Sequence, residues 1–365
     1  MKKNSSNSII YCIFPSWLNH SGHEGSYLDS LKLFSNKVSK KLFLVLPKKN
    51  KSIFLKTNYK KNLEYYSTGY ISLLFKIKKN CESLKNLFKK KKLSENDIIF
   101  IDGYSFDFLL SLILSLRTLD HGGSFLVYCR YDYKIIKKVL FKLFITIICK
   151  KFKNLKILTD TYDLKIKLNK IYKNKVILLP VPHTHVKDYK NKKKNYNKYN
   201  LFFPGQFRPE KFGENFDNFL KINNKSLYRI FINENFSWSE KKNFEIKYLK
   251  YNLTRNNYLK YFFNSQIVIL PYSQELYKDR TSGIFIESIV LNKIVLVTNG
   301  TWMSKELKKY KLNEFIVKDW SNFILDKKIK NLFADQVQKK IHKMQKNYLN
   351  FHNKEKYTNL LKKFS

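Results

Sequence analysis

Asp279-Arg280-Thr281-Ser282-Gly283-Ile284-Phe285-Ile286-Glu287 is the stretch on which the fold turns. Close behind it come Ile294-Val295-Leu296-Val297-Thr298 and Thr301-Trp302-Met303-Ser304-Lys305-Glu306. A Ser-Gly turn opens a helix whose apolar members Ile284, Phe285 and Ile289 suit burial, and a short apolar strand follows. Gly283 sets backbone N–H groups at a helix start, where free donors and the helix dipole favour an anion. Glu287 stands on the first turns of the same helix.

Composition gives these glycines weight. The 365 residues hold only 10 Gly, 7 Pro and a single Ala (Ala334), as an AT-rich coding bias would produce. Gly22, Gly25, Gly205, Gly213 and Gly283 all fall in strand-to-helix turns. Arginine is rare where lysine is the default cation, so an arginine can mark a place that needs the planar fork. Arg130, Arg208 and Arg280 follow or flank predicted strand ends; for Arg117, Arg229 and Arg255 chance survival stays an open reading. Lys+Arg of 71 against Asp+Glu of 28 gives +43. Such a charge suits an anionic partner, although lysine enrichment from coding bias inflates it throughout. The apolar share of 44% is that of a globular chain rather than a basic tail.

Cys12, Cys81, Cys129 and Cys149 show no metal-ligand spacing and read as reduced structural thiols. His183 and His185 lack an evident third ligand. The apolar run Ile9 to Phe14 is too short for a signal peptide, and Phe106 to Leu116 and Leu140 to Cys149 are too short to span a bilayer. The expected location is the cytoplasm, with peripheral contact at the inner face of the plasma membrane.

Continuous apolar runs of strand length alternate with helix-like stretches: Ile9 to Phe14, Lys41 to Leu46, Asp97 to Asp102, Ser124 to Arg130, Leu155 to Thr159 and Val176 to Leu179. Runs without polar alternation suit a parallel sheet covered on both faces. Lys187 to Tyr199 has no apolar periodicity and reads as a linker. The alternation then restarts with Leu201 to Phe203, Leu227 to Ile232, Ile267 to Leu270, Ile294 to Thr298 and Glu314 to Val317; Lys327 to Phe364 reads as helix.

The restart continues as Phe203-Pro204-Gly205-Gln206-Phe207-Arg208-Pro209-Glu210-Lys211-Phe212. This turn, with the segment around Asp279 and Glu287, resembles the GT-B glycosyltransferases, in particular family four and related group 1 enzymes. The resemblance implies an α/β protein of two Rossmann-like doubly wound domains with a C-terminal helix crossing back to the first. The corresponding boundaries are an acceptor-binding domain over 1–187, a linker over 188–199, a nucleotide-sugar-binding domain over 200–340 and a returning helix over 341–365. It implies that Arg208 and Lys211 neutralise the donor's diphosphate, together with Ser282 and the Gly283 helix end. Asp279 would face the donor sugar and Glu287 would hold the ribose hydroxyls. The sequence departs from the family in Gln206, where an arginine often follows the glycine, in Gly213, one residue late, and in Asp279, where the first acid is usually Glu. Arg280 either binds phosphate or pairs with Asp279. Trp302 either shapes the nucleotide pocket or belongs to the core.

The first turn holds Ser21-Gly22-His23-Glu24-Gly25. Some inverting relatives use a Gly-His here as general base, a role a near-neutral pKa suits. His23 is therefore a candidate base or a sugar contact, or a plain loop residue. Gly22 is a donor-side loop candidate. Glu24 is an acceptor candidate or an acid favouring the helix start. Arg130 occupies a strand end where retaining relatives often carry histidine; it could bind an acidic acceptor or the diphosphate.

The function implied is transfer of a sugar from a nucleotide-sugar to a glycan or lipid-linked acceptor in surface polysaccharide biosynthesis, with retention and without a metal or other cofactor. Lys-rich helices with apolar faces at Leu73 to Leu93 and Tyr133 to Lys153 suit an anionic membrane surface. The rivals are a nucleotide-sugar 2-epimerase of the same fold and a basic nucleic-acid-binding protein. For the latter no reading helix or aromatic–basic sheet face is found, so no nucleic acid is expected.

Overall fold

The computed structural model describes residues 8–17, 24–51, 57–64, 70–90, 93–102, 105–116, 123–130, 135–152, 154–172, 176–182, 198–205, 208–236, 243–250 and 253–364. The chain divides into two compact units, Met1–Pro182 with Lys354–Ser365 and His183–Asn353.

The first unit carries β1 (Ile9–Ile13), α1 (Glu24–Lys37), β2 (Lys41–Pro47), β3 (Asn58–Leu63), α2 (Tyr70–Lys90), β4 (Ile98–Asp102), α3 (Phe106–Leu116), β5 (Ser124–Cys129), α4 (Ile135–Lys151), β6 (Asn154–Thr159), α5 (Tyr162–Tyr172) and β7 (Val176–Leu178). Its strands form one parallel sheet in the order β3-β2-β1-β4-β5-β6-β7. β4 and β5 are buried along their whole length, as strands covered on both faces must be. Phe125, Phe144 and Phe152 meet edge to face in the core under α4.

The second unit repeats the plan with β8 (Tyr199–Phe202), α6 (Pro209–Phe212), α7 (Asn215–Ile222), β9 (Tyr228–Asn233), β10 (Glu245–Leu249), α8 (Arg255–Asn264), β11 (Ile267–Leu270), α9 (Gln274–Tyr277), α10 (Gly283–Val290), β12 (Ile294–Thr298), α11 (Trp302–Lys309), β13 (Ile316–Val317), α12 (Asp326–Leu332) and α13 (Asp335–Phe351). The strand order is β10-β9-β8-β11-β12-β13, again parallel. In each sheet the chain order reverses beside the first strand, at β1/β4 and at β8/β11. Strand ends at such a reversal open a crevice for ligands.

Three expectations are corrected. β3 and β10 are additional strands at the sheet edges; their exposed, charged sequences lack the apolar run that marks a buried strand. Lys327 to Phe364 is not one helix: it breaks at Phe333-Ala334 and again at His352-Asn353. The last segment, α14 (Lys354–Lys362), packs on α1, where Thr358 donates to the Ser30 carbonyl and Lys37 pairs with Glu355. Residues 341–353 stay with the second unit, where the Gln345 amide donates to the Val290 carbonyl. Among the described residues no helix is long and apolar enough to cross a membrane.

Candidate functional site

At the β8/β11 reversal three segments of the second unit converge. After β8 the chain turns at Gly205, whose φ of +92° is the left-handed region that favours glycine. A Cβ there would lie 3.1 Å from Ile284 Cδ1 on α10 and 3.9 Å from Lys211 Nζ. Glycine thus lets the turn press against the start of α10 with the lysine beside it. Pro209 opens α6, where a missing N–H costs nothing, and Lys211 follows. The Ser273 N–H donates to the Lys211 carbonyl at 2.7 Å and the Asn215 amide to the Pro271 carbonyl at 3.2 Å, so α6 and α7 are fastened to the end of β11.

Lys211 Nζ sits 4.0 Å from the centre of the Tyr272 ring. The Tyr272 and Tyr277 rings meet at a tilt of 41° with centroids 4.5 Å apart, and the Arg280 guanidinium lies 5.5 Å from the Tyr277 ring centre. Two cations therefore flank a tyrosine pair at the entry to α10. Burial pushes the Tyr272 hydroxyl well above its ordinary range and Tyr277 adds to it, against Ser282 and Arg280. It stays protonated and leaves those positive charges uncompensated by a phenolate.

Ser282 caps α10: its Oγ accepts from the Phe285 N–H at 3.2 Å, and its carbonyl takes the Ile286 N–H. The N–H groups of Gly283 and Ile284 precede the first intrahelical bonds and point out of the helix end. Ser282 is thus a capping residue first. Arg208 is exposed on the turn, its carbonyl taking the Lys211 N–H. Asp279 is half-buried, with Oδ1 3.4 Å from Lys305 Nζ on α11.

Glu287 lies one helical turn beyond Gly283, on the same face, and its side chain is only 2% exposed. Its Oε1 is 2.6 Å from an Arg255 nitrogen and its Oε2 accepts from the Tyr258 hydroxyl at 3.1 Å, both partners coming from α8. Burial raises the carboxyl above its ordinary range, while Arg255 and the tyrosine pull it back. Trp302 is buried edge to face against Phe285 and belongs to the core. Thr301 caps α11, accepting from the Ser304 N–H.

Arg255, Tyr258 and Tyr272 were not among the expected site residues. Arg255 belonged to the rare arginines yet stood away from any predicted strand end. Arg229, from the same set, pairs with Glu245 across the β9/β10 edge at 2.8 Å.

In the first unit Arg130 follows β5. Its Nε and a terminal nitrogen hold the two oxygens of Asp102, at the end of β4, at 2.9 and 2.6 Å. The guanidinium lies between the Tyr27 and Tyr128 rings, 4.2 and 4.5 Å from their centres. Tyr27 meets Tyr357 of α14 edge to face, and the Tyr128 hydroxyl donates to Asp160 at 3.4 Å. Burial works against the arginine's charge, but Asp102 and the two tyrosines more than offset it. Its positive charge is already answered. Glu24 opens α1, with its side chain outside the described residues; Gly22, His23 and the His183/His185 pair lie outside them altogether.

No protein-family model matches the sequence, and no curated protein matches it. Solved structures do match over the whole chain. A glycosyltransferase from Rickettsia africae ESF-5 is 13% identical, with a TM-score of 0.63 over 98% of this chain and 97% of that one. A UDP-forming α,α-trehalose-phosphate synthase from Burkholderia vietnamiensis is 11% identical, with a TM-score of 0.66 over 98% and 99%. A putative UDP-N-acetylglucosamine 2-epimerase from Listeria monocytogenes is 9% identical, with a TM-score of 0.59 over 97% and 94%. The two parallel doubly wound sheets and this likeness over nearly the full length make the fold GT-B.

Proposed function

We propose that the protein is a glycosyltransferase that takes a nucleotide-sugar on its second unit and passes the sugar, with retention, to a glycan or lipid-linked acceptor on its first. The observation that carries this reading is the convergence of the Gly205–Lys211 turn, Tyr272 and the capped start of α10 at the β8/β11 reversal. A diphosphate carries two negative charges; Lys211, Arg208 and Arg280 supply positive ones, and the Gly283 and Ile284 N–H groups supply aimed donors. In this reading no metal ion is needed to meet the charge. From a phosphate at the helix end, the ribose of a nucleotide falls about one helical turn along, ~5.4 Å, where Glu287 stands. Asp279 would face the donor sugar. His23 and Gly22 stay candidates for the reacting sugar on the sequence alone. Arg130 would shape the acceptor side through Asp102 and Tyr27 rather than by an unanswered charge.

The outer helices of the first unit support a lipid-linked acceptor. Phe75 and Leu74 on α2 and Val139 and Leu143 on α4 are half or more exposed, Val139 at 68%, beside Lys78, Lys79 and Lys142. Exposed apolar groups among lysines suit the headgroup layer of an anionic bilayer, with about 1 kcal/mol per lysine near such a surface. We therefore read the protein as a peripheral enzyme at the cytoplasmic face, in surface polysaccharide biosynthesis.

Thermal melts with UDP-, GDP- and ADP-sugars test the donor reading, because a ligand that binds only the folded state raises its melting temperature. One nucleotide series should stabilise the protein, and Lys211→Ala should diminish the effect. No shift with any series refutes the reading. Product analysis then separates transfer from 2-epimerisation, which the same fold houses in the putative Listeria epimerase.

A further inference from the structure

Glu287 presents a chemical difficulty that the donor reading leaves unsolved. A carboxylate that accepts two ribose hydroxyls must be ionised, whereas a buried carboxyl tends to keep its proton. Its side chain is 2% exposed, on a helix whose other residues from Ile284 to Val290 are apolar except Ser288. Among the described residues, the ionisable groups that face it are Arg255 and Tyr258, both on α8. Tyr258 stays a neutral donor, for burial and the carboxylate itself push its hydroxyl well above the ordinary range. The compensating charge comes from Arg255.

The arginine is placed for this. Thr254 caps α8 by accepting from the Asn257 N–H at 3.3 Å, which fixes the first turn on which Arg255 stands. The guanidinium lies 5.4 Å from the Tyr258 ring centre and brings a terminal nitrogen 2.6 Å from Glu287 Oε1, with the side chain 38% exposed. A carboxylate offers about four lone-pair positions. Arg255 and Tyr258 take one on each oxygen and leave one on each, the number a ribose diol requires.

We propose that Arg255 is a positioning residue for nucleoside recognition: paired with Glu287, it keeps that carboxylate ionised and turned so that its two remaining lone pairs accept the 2′- and 3′-hydroxyls of a ribonucleotide. The proposal rests on the donor-site reading above. It makes Arg255 a determinant of ribose over deoxyribose, a selection reached without contact between the arginine and the sugar.

The test uses calorimetry on the full chain with UDP and 2′-deoxy-UDP, or the GDP or ADP pair if the wild type prefers that base, at pH 7 and near pH 9. The ratio of the two affinities cancels changes in the base and diphosphate. Wild type should favour the ribonucleotide by roughly tenfold or more at both pH values, the worth of one hydrogen bond to a charged group. Arg255→Gln should lose most of that preference at pH 7 and recover part of it at the higher pH, because burial without the arginine's charge raises the Glu287 carboxyl further. Arg255→Lys, which keeps the charge, should retain the preference at both. An unchanged ratio in Arg255→Gln at pH 7 overturns the proposal. So does a loss that is equal in both variants and insensitive to pH, which marks a merely structural role. A wild type that binds a nucleoside diphosphate but does not distinguish ribose from deoxyribose removes Glu287 from the sugar and this proposal with it. A wild type that binds none of them sinks the donor reading itself.

Discussion

Arg130 grips Asp102 through two nitrogens between two tyrosine rings, whereas Arg255 touches Glu287 through one nitrogen beside a single tyrosine. The parts are the same: an arginine, a nearly buried acid and aromatic faces. The holding differs. Arg130 has spent its fork and its charge, so it joins the ends of β4 and β5 to α1 and α14 as a clamp. Arg255 keeps an exposed flank, its side chain 38% exposed, and its acid is shared with the Tyr258 hydroxyl. An arginine that closes its fork on one acid between structural elements is a clamp; the looser Arg255–Glu287 pair, on the helix whose start presents outward N–H groups, is read as part of a candidate site.

Removing one charge from each pair sharpens the contrast. Asp102→Asn leaves a largely enclosed guanidinium opposite a neutral amide and should lower the unfolding free energy by about 3 kcal/mol. Glu287→Gln leaves an arginine that can turn to water, and should cost on the order of 1–2 kcal/mol. Urea denaturation of both variants checks this, and equal losses would erase the distinction. In binding the order reverses: Glu287→Gln should weaken ribonucleotide binding while Asp102→Asn leaves it unchanged.

Lys211→Ala should reduce nucleoside-diphosphate affinity by roughly 1.5–3 kcal/mol with little change in melting temperature. Arg208→Ala, on a more exposed turn, should lose less. Calorimetry that finds both variants equal to wild type would strip the Gly205–Lys211 turn of its phosphate role.

His352 is a third buried ionisable group, where α13 ends. Burial pushes its imidazole down to about 3. The folded state therefore holds it neutral, while the unfolded chain protonates it near its ordinary value. Above about pH 6.5 the two states bind equal protons; below it the unfolded chain takes the extra one and stability falls. The loss at pH 5 is about 2 kcal/mol. Chemical denaturation at pH 7 and pH 5 should give a difference that shrinks by about that amount in His352→Gln. An unchanged difference would assign the acid sensitivity to other groups.

The second unit is the more legible because its candidate site draws on residue types that a lysine-rich, glycine-poor chain uses sparingly. Gly205 and Gly213 both take positive φ, and Gly205 must also lack a side chain against Ile284. Buried strands were legible as apolar runs. β3 and β10 were not, because an edge strand with one free side carries polar residues that read as loop. The break between α13 and α14 was hidden because Lys327 to Phe364 keeps helical spacing while the chain passes from one unit to the other at Asn353-Lys354. Arg255 was overlooked because its partner is 32 residues away in sequence and meets it only through the packing of α8 beside α10. Arg130 stands out in the sequence as a rare arginine after a strand, but its neutralisation by Asp102 depends on two adjacent strand ends, which no spacing along the chain displays.

The smallest expected effect concerns the turn itself. Gly205→Ala should destabilise the protein by about 1 kcal/mol, since alanine resists positive φ. It should also weaken nucleotide binding by displacing Ile284 and the start of α10. A melt and a titration on that variant check both, and unchanged binding would mean that the close approach of the turn to α10 does not shape the site.

The central claim is that a nucleoside diphosphate sits at the β8/β11 reversal of the second unit. Hydrogen exchange by mass spectrometry, with and without a saturating nucleotide, tests it most directly. The expected result is slowed exchange in peptides covering 205–213 and 272–288, with the Gly283 and Ile284 N–H groups among those protected, and no change in β9, β10 or α12. Binding that leaves the amides at the start of α10 exchanging as fast as before, or that protects another surface instead, would contradict the account.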